Sequence, residues 1–531
     1  MKKLFLLFLS VFLILIYGCA AESGNSEHSG NTEDTEDEKT ISGNFMYNNS
    51  GEISFTDDEY ADDTKDETFS NKVTITFNEA ADPTVEGTND NIVITKDKDR
   101  GSGKTYLIIN SKVNAEYEIS GTCNDGALLI FSEKKFKLIF NNVTLQSSNW
   151  PAVNIQSKKR CFVVMNGTNN LIGAEITRPG ENLRNPEYVE GVSESKDEYL
   201  DCKGAFFSEG QLIFKGDGTL NVTGKEKHAI CSDEYVRVLS GTITVLGAPS
   251  DGIHTNDAVI VNGGEISINS SKEGIECEKG YICIKGGKIS VKSGKSGISA
   301  SKDTFTGSSV LSERSFVFIE GGDISVETSE KKGHGIEAVS HLAITGGNVS
   351  VSVTGDSANG LKSGSNEDST AKGDIVIAKS ADVSVKAGAA AAKSDAGIYL
   401  REGKFKAAAV GTGGRGLAAD GKIVISGGEN YVCAAGTVLE SAAGVVFENG
   451  AYFIAAGSGI AAEITADQKY MTGSLSSASI KAGDTWEIGD KSGTFEVNLN
   501  VLNMLATWRD LTEKPEIKIA GNNCSADFEL K

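Results

Sequence analysis

The residues best suited to chemistry are carboxylates that recur at fixed positions of a short repeat between residues 227 and 300. Two positions before a recurring isoleucine lie Asp251 and Glu273, and four positions after it lie Glu234 and Asp257, with Asp233 next to Glu234. If equivalent positions of successive repeats stack about 4.8 Å apart, as neighbouring strands do, like charges come close together. A hard cation that prefers oxygen ligands offsets this repulsion, so the pattern predicts a calcium site.

Calcium is favoured over magnesium because it accepts an irregular set of carboxylates and turn carbonyls, whereas magnesium demands a stricter octahedron. The alternative interpretation is that these carboxylates are solvated corner residues that point away from each other. Two nearby histidines, His228 and His254, occupy different positions of the repeat, two before and one after the isoleucine. We therefore expect surface histidines rather than a pair of metal ligands.

The elements that position these carboxylates belong to a repeat of about 23 residues. Short runs in which β-branched residues alternate with other residues, such as 259–261 and 266–268, predict strands with one face inward. Glycine pairs between the runs predict sharp corners. A period of this length, with three short strands per repeat, predicts an all-β fold, a right-handed parallel β-helix. The recurring isoleucines are Ile230, Ile253, Ile275 and Ile298.

The extent of this repeat defines the predicted domain organisation. Strand-like sequence runs from residue 69 to about residue 465 and predicts one β-helix. Residues 466–531 lack the repeat and are predicted to form a small β-rich C-terminal cap. Residues 19–68 are rich in acidic and small polar residues with few apolar ones, which predicts an acidic disordered tether.

The N-terminus has the pattern of a signal peptide over residues 1–18. Two lysines precede an apolar run from Leu4 to Tyr17, which is too short to span a membrane. The sequence that ends at Cys19 resembles a bacterial lipobox, which would make this cysteine the lipidated first residue of the mature chain. The alternative is an ordinary signal peptide with an incidental cysteine. We predict secretion across the inner membrane and membrane attachment at the cell envelope through the Cys19 lipid anchor.

The formal net charge of −22 argues against a nucleic acid partner, because phosphates require a basic surface. The other eight cysteines show no C-x-x-C spacing and are expected to be free buried thiols. Aromatic side chains that could stack on sugar rings are Trp150, Tyr188 and Tyr199, although Trp150 is equally suited to packing. We expect a monomer.

Several segments resemble a family of bacterial β-helical carbohydrate-binding domains, whose fold resembles that of pectate lyases. They are ISGT at 119–122, FNNVTLQSS at 140–148 and the repeated unit that begins DGI at residue 251. The resemblance covers residues 69–531. It implies a secreted or surface-anchored module that binds acidic, plant-type polysaccharide and carries calcium at acidic corners, and it does not imply catalysis. The Arg-x-Pro-x-x-Arg pattern of polysaccharide lyases is not matched by Arg178 and Arg184.

Three functions fit these observations. The leading hypothesis is a non-catalytic, calcium-dependent, surface-anchored protein that binds polysaccharide. The second is a polysaccharide lyase or hydrolase, for which paired acids must lie at a defined separation that the sequence does not show. The third is a structural adhesin or surface spacer without sugar specificity, for which a rigid rod on an acidic tether suffices.

Overall fold

The computed structural model describes residues 44–47, 53–56, 63–65, 68–97, 106–175, 199–301, 315–364 and 372–531. The segment that contains Cys19, and with it the predicted signal peptide and lipid anchor, lies outside these residues. Arg178, Arg184 and Tyr188 also lie outside them. In the described part of the chain, no helix has the length and apolar character required to cross a membrane.

Parallel strands wind into a solenoid with three faces, which we name A, B and C. Face A contains Tyr106–Ser111, Ala127–Ser132, Val153–Ile155, Gly204–Ser208, His228–Ser232, Ile253–Thr255, Ile275–Cys277, Ile298–Ala300, Ile336–Ala338, Leu361–Ser363, Ala390–Ser394 and Arg415–Ala419. Face B contains Asn71–Phe77, Cys161–Asn166, Leu212–Gly216, Tyr235–Val238, Ala258–Val261, Tyr281–Ile284, Val317–Ile319, Leu342–Ile344, Ile375–Ile377, Ile398–Leu400, Ile423–Ile425, Val445–Phe447 and Ile464–Ala466.

Face C contains Thr168–Ile172, Thr219–Thr223, Thr242–Gly247, Glu265–Ser270, Lys288–Ser293, Asp323–Thr328, Asn348–Val353, Asp382–Ala387 and Lys404–Ala409. Four longer strands bend from one face to the next. They are Ala115–Cys123 and Phe136–Gln146, from face B to face C, and Glu429–Ser441 and Phe453–Ala461, from face C to face A. At the N-terminal end, Thr84–Glu86 and Ile92–Asp97 pair antiparallel with their neighbours.

The register of face A confirms the predicted fold. Ile230 pairs with Ile253, Ile253 with Ile275, and Ile275 with Ile298, so the recurring isoleucines of the sequence stack in the interior. The parallel solenoid has about 13 turns spaced roughly 25 residues apart. This spacing exceeds the 23 residues of the central repeats because several coils contain insertions, such as the one between Ile298 and Ile336.

The interior is filled by the inward residues of all three faces. Phe206 is fully buried and packs against Phe140 and Phe214, with ring centroids 6.1 and 5.8 Å apart. The eight cysteines in the described residues are free, and six of them are buried, as expected. After face B ends at Ile464–Ala466, the chain forms antiparallel strands that close this end of the solenoid. They are Tyr470–Leu475, Thr485–Ile488, Lys491–Thr494, Leu502–Thr507, Ile517–Ile519, Asn522–Asn523 and Phe528–Leu530.

The tether prediction for residues 19–68 is wrong at Asp63, which is fully buried against face B. Its carboxylate accepts hydrogen bonds from the Tyr235 hydroxyl at 2.9 and 3.0 Å. It also lies 3.1 Å from Nε of Arg160 and 3.4 Å from Nη1 of Arg237. An acidic composition predicts solvation, but a carboxylate between two guanidinium groups can be buried. Asn44–Tyr47 and Ile53–Thr56, in the same predicted tether, form an antiparallel strand pair.

The glycine directly before the recurring isoleucine, at Gly252, Gly274 and Gly297, is required by close packing at the corner before face A. A Cβ atom on Gly274 would lie 2.2 Å from Cγ1 of Val291 and 2.5 Å from the carbonyl oxygen of Gly297. Equivalent contacts surround Gly252 and Gly297. The corners of successive coils therefore approach each other too closely for any side chain at this position.

We expect Gly274→Ala to lower the free energy of unfolding by about 1–3 kcal/mol, because the added methyl overpacks this corner. Gly247→Ala is the matched control, since a Cβ atom there meets no atom within 4 Å. Urea unfolding followed by circular dichroism measures both changes. Equal stability of the two variants would show that the corner relaxes without cost.

Candidate functional site

The candidate site lies at the corner where the chain passes from face C to face A. It contains His228, Asp251, His254, Glu273 and Glu276, which we call the corner cluster. Asp251 and Glu273 end the corner segments of successive coils, while His254 and Glu276 lie within the short strands Ile253–Thr255 and Ile275–Cys277. Their β-helical register places His254 directly beside Glu276.

Asp251 is the centre of the cluster and is 2% exposed. Its Oδ2 lies 2.9 Å from Nδ1 of His228 and 3.1 Å from Nδ1 of His254. The same nitrogen of His254 lies 2.9 Å from Oε2 of Glu276. The two imidazole rings stack at a centroid distance of 4.2 Å with an angle of 20° between their planes. The expectation of separate surface histidines is therefore wrong.

Hydrogen bonds hold the carboxylates of the cluster in place. Oδ1 of Asp251 accepts hydrogen bonds from the Ser250 hydroxyl at 3.1 Å and from the backbone N–H of Glu273 at 3.3 Å. Oε1 of Glu276 accepts a hydrogen bond from the Ser301 hydroxyl at 2.7 Å. Each of these two carboxylates thus has one oxygen engaged by such donors and one oxygen directed at the histidines.

The pKa values reflect this crowding. Burial raises the pKa of Asp251, but its contacts with His228 and His254 outweigh burial and place the pKa well below its usual range. Burial lowers the pKa of His228 below its usual value. Burial also opposes protonation of His254, yet hydrogen bonds to Asp251 and Glu276 raise its pKa to about 9. Burial and the adjacent Asp251 carboxylate raise the pKa of Glu273 to about 8.

The cluster contains two overlapping sets of groups that could hold a metal ion. His228, Asp251 and His254 form one set, and Asp251, Glu273 and Glu276 form the other, with all ligand atoms of a set within 4.8 Å of one another. Among the described residues, no lysine or arginine forms an ion pair with these carboxylates. The cluster therefore offers a divalent cation imidazole nitrogens and carboxylate oxygens as ligand atoms.

Farther along face A, a lysine takes the place that a cation would fill. Glu337 is equivalent to Glu276 two coils later, and its carboxylate accepts hydrogen bonds from Ser296 at 2.7 Å and Ser299 at 3.0 Å. Nζ of Lys362 lies 3.6 Å from Oε2 of Glu337. At the corner cluster the corresponding position beside the carboxylates is occupied by His254, whose raised pKa favours a positive charge between Asp251 and Glu276.

The five predicted metal ligands do not come together at one place. Asp251 and Glu273 join the corner cluster, whereas Asp233, Glu234 and Asp257 lie at the opposite corner, after the face A strands. There, Nζ of Lys203 lies 2.8 Å from Oδ1 of Asp233. Glu234 accepts a hydrogen bond from the Gln211 side-chain amide. Asp233 and Glu234 thus have protein partners that reduce the need for a cation.

Two of the three predicted sugar-stacking residues, Trp150 and Tyr199, lie in the described part of the chain. Trp150 is 2% exposed and packs against Tyr106 with ring centroids 6.4 Å apart, so its ring faces are not open to a sugar. Packing, the alternative interpretation of this residue, is confirmed. Tyr199 is 49% exposed and remains open to solvent.

A polar groove of about 740 Å³ lies beside the face C strands of later coils. Lys331, Lys386 and Arg415 line it together with Asp356. The two lysines are exposed, and Arg415 is partly exposed with its guanidinium 3.3 Å from Glu440. The groove is thus lined by more basic than acidic side chains on a strongly acidic protein.

Of the comparisons with known proteins, the match to a protein family supports the predicted family. No curated protein matches the sequence. Among solved structures, the chain is similar to a polysaccharide lyase-like protein from C. thermocellum, solved as a gadolinium derivative, with 17% identity and a TM-score of 0.34 over 59% of this chain and 96% of that chain. Residues 102–359 match the family described as carbohydrate-binding domain-containing protein. The family predicted from the sequence is thus confirmed over residues 102–359, which resemble carbohydrate-binding domain-containing proteins.

Proposed function

We propose that this protein is a non-catalytic polysaccharide-binding protein that is anchored at the cell surface and favours acidic polysaccharides. The observation that carries the proposal is the match of residues 102–359 to a carbohydrate-binding family, over coils that form one continuous parallel solenoid. A rod of stacked coils presents equivalent side chains at regular spacing, which suits a linear polymer. This regularity supports binding along the rod rather than in a closed pocket.

Dependence on a divalent cation is part of this proposal. The sequence predicts calcium from carboxylates alone, and Asp251, Glu273 and Glu276 supply carboxylate oxygens at one corner. Glu273 and Glu276 are partly exposed, so an ion held there has a path to solvent. Such an ion neutralises the crowded carboxylates and can also accept an oxygen of a uronate, which an acidic protein would otherwise repel.

A pull-down on insoluble polysaccharides tests the proposal. Acidic, cellulosic and other plant-type polymers are incubated with the protein in the presence of calcium, of zinc or of a chelator, and bound protein is quantified. We expect retention on an acidic polymer that the chelator weakens. Absence of retention on every polymer would favour the surface spacer, the third function considered for this chain.

The basic groove supports the preference for an acidic polymer. We expect the double variant Lys331→Gln, Lys386→Gln to bind polygalacturonate about 5-fold more weakly, because two attractive charges are lost from the groove. The loss should shrink as salt is raised, since salt screens exposed charges. The double variant Lys288→Gln, Lys292→Gln is the control, because these two exposed lysines lie on face C outside the groove. Equal losses in the two proteins would show that only net charge matters.

Lipid attachment at Cys19 is the proposed basis of surface anchoring. We expect labelled palmitate to enter the wild-type protein expressed in a bacterial host, and Cys19→Ala to abolish the labelling because the acceptor thiol is missing. Protein gel fluorography measures the label, and the membrane fraction measures attachment. Equal labelling of both proteins would leave secretion without an anchor.

The enzyme alternative is a polysaccharide lyase or hydrolase. Asp251, the central carboxylate of the cluster, is 2% exposed, so a glycosidic oxygen has little access to it. This burial supports binding without catalysis. Release of unsaturated or reducing products from polygalacturonate would establish the enzyme alternative instead.

A further inference from the structure

The two histidines of the corner cluster bear on which metal ion this corner prefers. Nδ1 of His228 and Nδ1 of His254 approach the same oxygen, Oδ2 of Asp251, at 2.9 and 3.1 Å. Oε2 of Glu276 lies 2.9 Å from Nδ1 of His254. His228, Asp251 and His254 thus have their ligand atoms within 4.8 Å of one another, and Glu276 contacts the same nitrogen of His254.

Nδ1 of His228 lacks the hydrogen bond that a buried polar nitrogen normally makes. His228 is 7% exposed, and its Nδ1 forms no hydrogen bond with any described residue in spite of its short distance to Asp251, because the geometry is unsuitable. A buried polar nitrogen without a hydrogen bond costs free energy. A metal ion bound to this nitrogen would remove that cost.

The spacing of these atoms suits a small tetrahedral ion. Zinc lies about 2.0–2.2 Å from nitrogen and oxygen ligands, so neighbouring ligands of a zinc tetrahedron are about 3.3 Å apart. The contacts of 2.9–3.1 Å between the nitrogens and oxygens need to expand by only a few tenths of an ångström. Calcium binds at 2.3–2.6 Å and takes six to eight oxygens, which four ligands with two nitrogens do not supply.

The surrounding hydrogen bonds already orient the oxygens. The Ser250 hydroxyl and the backbone N–H of Glu273 donate hydrogen bonds to Oδ1 of Asp251. The Ser301 hydroxyl donates one to Oε1 of Glu276. Outer hydrogen bonds of this kind are typical of metal sites, where they fix the direction of each ligand. The other oxygen of each carboxylate, Oδ2 of Asp251 and Oε2 of Glu276, is directed at the histidines.

We propose that the corner cluster binds a transition metal ion of the zinc class in preference to calcium, through Nδ1 of His228, Nδ1 of His254, Oδ2 of Asp251 and Oε2 of Glu276. The proposal deepens the cation dependence of the proposed function by naming the ion class. Binding of the ion itself does not require a polysaccharide.

The test is a metal titration of the full chain after removal of bound ions by a chelator. Isothermal titration with zinc chloride should show one ion per chain, bound about 100-fold or more tightly than calcium, because imidazole nitrogens suit zinc and calcium prefers oxygen. His254→Gln and His228→Gln should each weaken zinc binding by about 100-fold. Loss of even a hydrogen-bond partner of a metal ligand typically lowers metal affinity by about 10- to 100-fold.

Two further measurements separate the corner from other metal ligands. His341→Gln is the matched control, because this histidine lies outside the cluster, and zinc affinity should not change. Cobalt(II) should give the intense visible absorption of four-coordinate nitrogen and oxygen ligands, without a thiolate charge-transfer band, and His254→Gln should abolish it. Circular dichroism identifies any variant that fails to fold, and Glu276→Gln then serves as the milder substitution.

The inference is overturned if calcium binds this corner as tightly as zinc, if zinc binding survives His254→Gln in a folded protein, or if no zinc is bound. Polysaccharide binding is measured on the same samples. Retention on polysaccharide without zinc binding would overturn this inference and leave the proposed function intact. Zinc binding without retention on any polysaccharide would overturn the proposed function alone.

Discussion

The double variant Asp251→Asn, Glu273→Gln should bind polygalacturonate about 10-fold more weakly than the parent in the presence of a divalent cation. The substitutions replace two carboxyl groups with amides of the same shape, so the ion loses the negative charge of Asp251 and the carboxyl oxygens of Glu273. The parent should also lose thermal stability on chelation. An ion present at 100 times its dissociation constant contributes about 2.7 kcal/mol to the free energy of unfolding, and this contribution disappears when the ion is removed.

Asp233→Asn with Glu234→Gln is the matched control for this prediction. It makes the same aspartate-to-asparagine and glutamate-to-glutamine changes at the opposite corner. There, Lys203 and Gln211 already contact these carboxylates. Thermal unfolding and pull-down are measured for all three proteins with the ion and with a chelator. If the first variant melts and binds as the parent does with the ion present, the corner carboxylates are solvated residues without a role in cation binding.

Removal of the Asp63 carboxylate should have the largest effect on stability. In Asp63→Ala the buried guanidinium of Arg237, 4% exposed, loses its carboxylate partner and the Tyr235 hydroxyl loses its acceptor. Breaking a buried ion pair from one side typically costs about 3–5 kcal/mol. We therefore expect the free energy of unfolding to fall by about 3 kcal/mol in urea denaturation at neutral pH.

The control for this prediction is Glu327→Ala. This glutamate pairs with Lys292 at 3.3 Å on the surface, and both side chains are more than half exposed. Its removal should leave the urea midpoint nearly unchanged, because exposed pairs contribute little. If Asp63→Ala shifts the urea midpoint as little as the control does, residues around 63 do not stabilise the solenoid.

The sequence was sufficient to predict the solenoid because its period is carried by residues that stack. Ile230, Ile253, Ile275 and Ile298 recur at nearly constant spacing, and constant spacing in a β-helix means a constant position in successive coils. The same reasoning placed Asp251 and Glu273 one above the other. A repeat period in the sequence therefore reveals residues that stack on one another in successive coils.

The pairing of the histidines could not be predicted in this way. His228 and His254 belong to adjacent coils but to different positions of the repeat, so the period separates them. They meet because the chain bends at the corner, which directs side chains from two positions toward Asp251. The sequence signal that points to them is that His228 shares its position in the repeat with Asp251, while His254 directly follows the DGI unit. Only side-chain directions reveal the contact.

Asp63 was missed for a different physical reason. It is separated by 172 residues from Tyr235, and no periodicity connects the two. Its acidic surroundings predict solvation, and composition takes no account of the guanidinium groups that lie on a distant coil. Long-range ion pairs of this kind require the folded structure.

The central claim is that this solenoid binds an acidic polysaccharide without cleaving it. The most direct measurement is an equilibrium binding isotherm on insoluble polygalacturonate, with the supernatant assayed for released unsaturated and reducing ends over the same period. We expect saturable binding of the cation-loaded protein and no product above that of a blank without protein. Product that increases with time and protein concentration, or the absence of saturable binding, would contradict it.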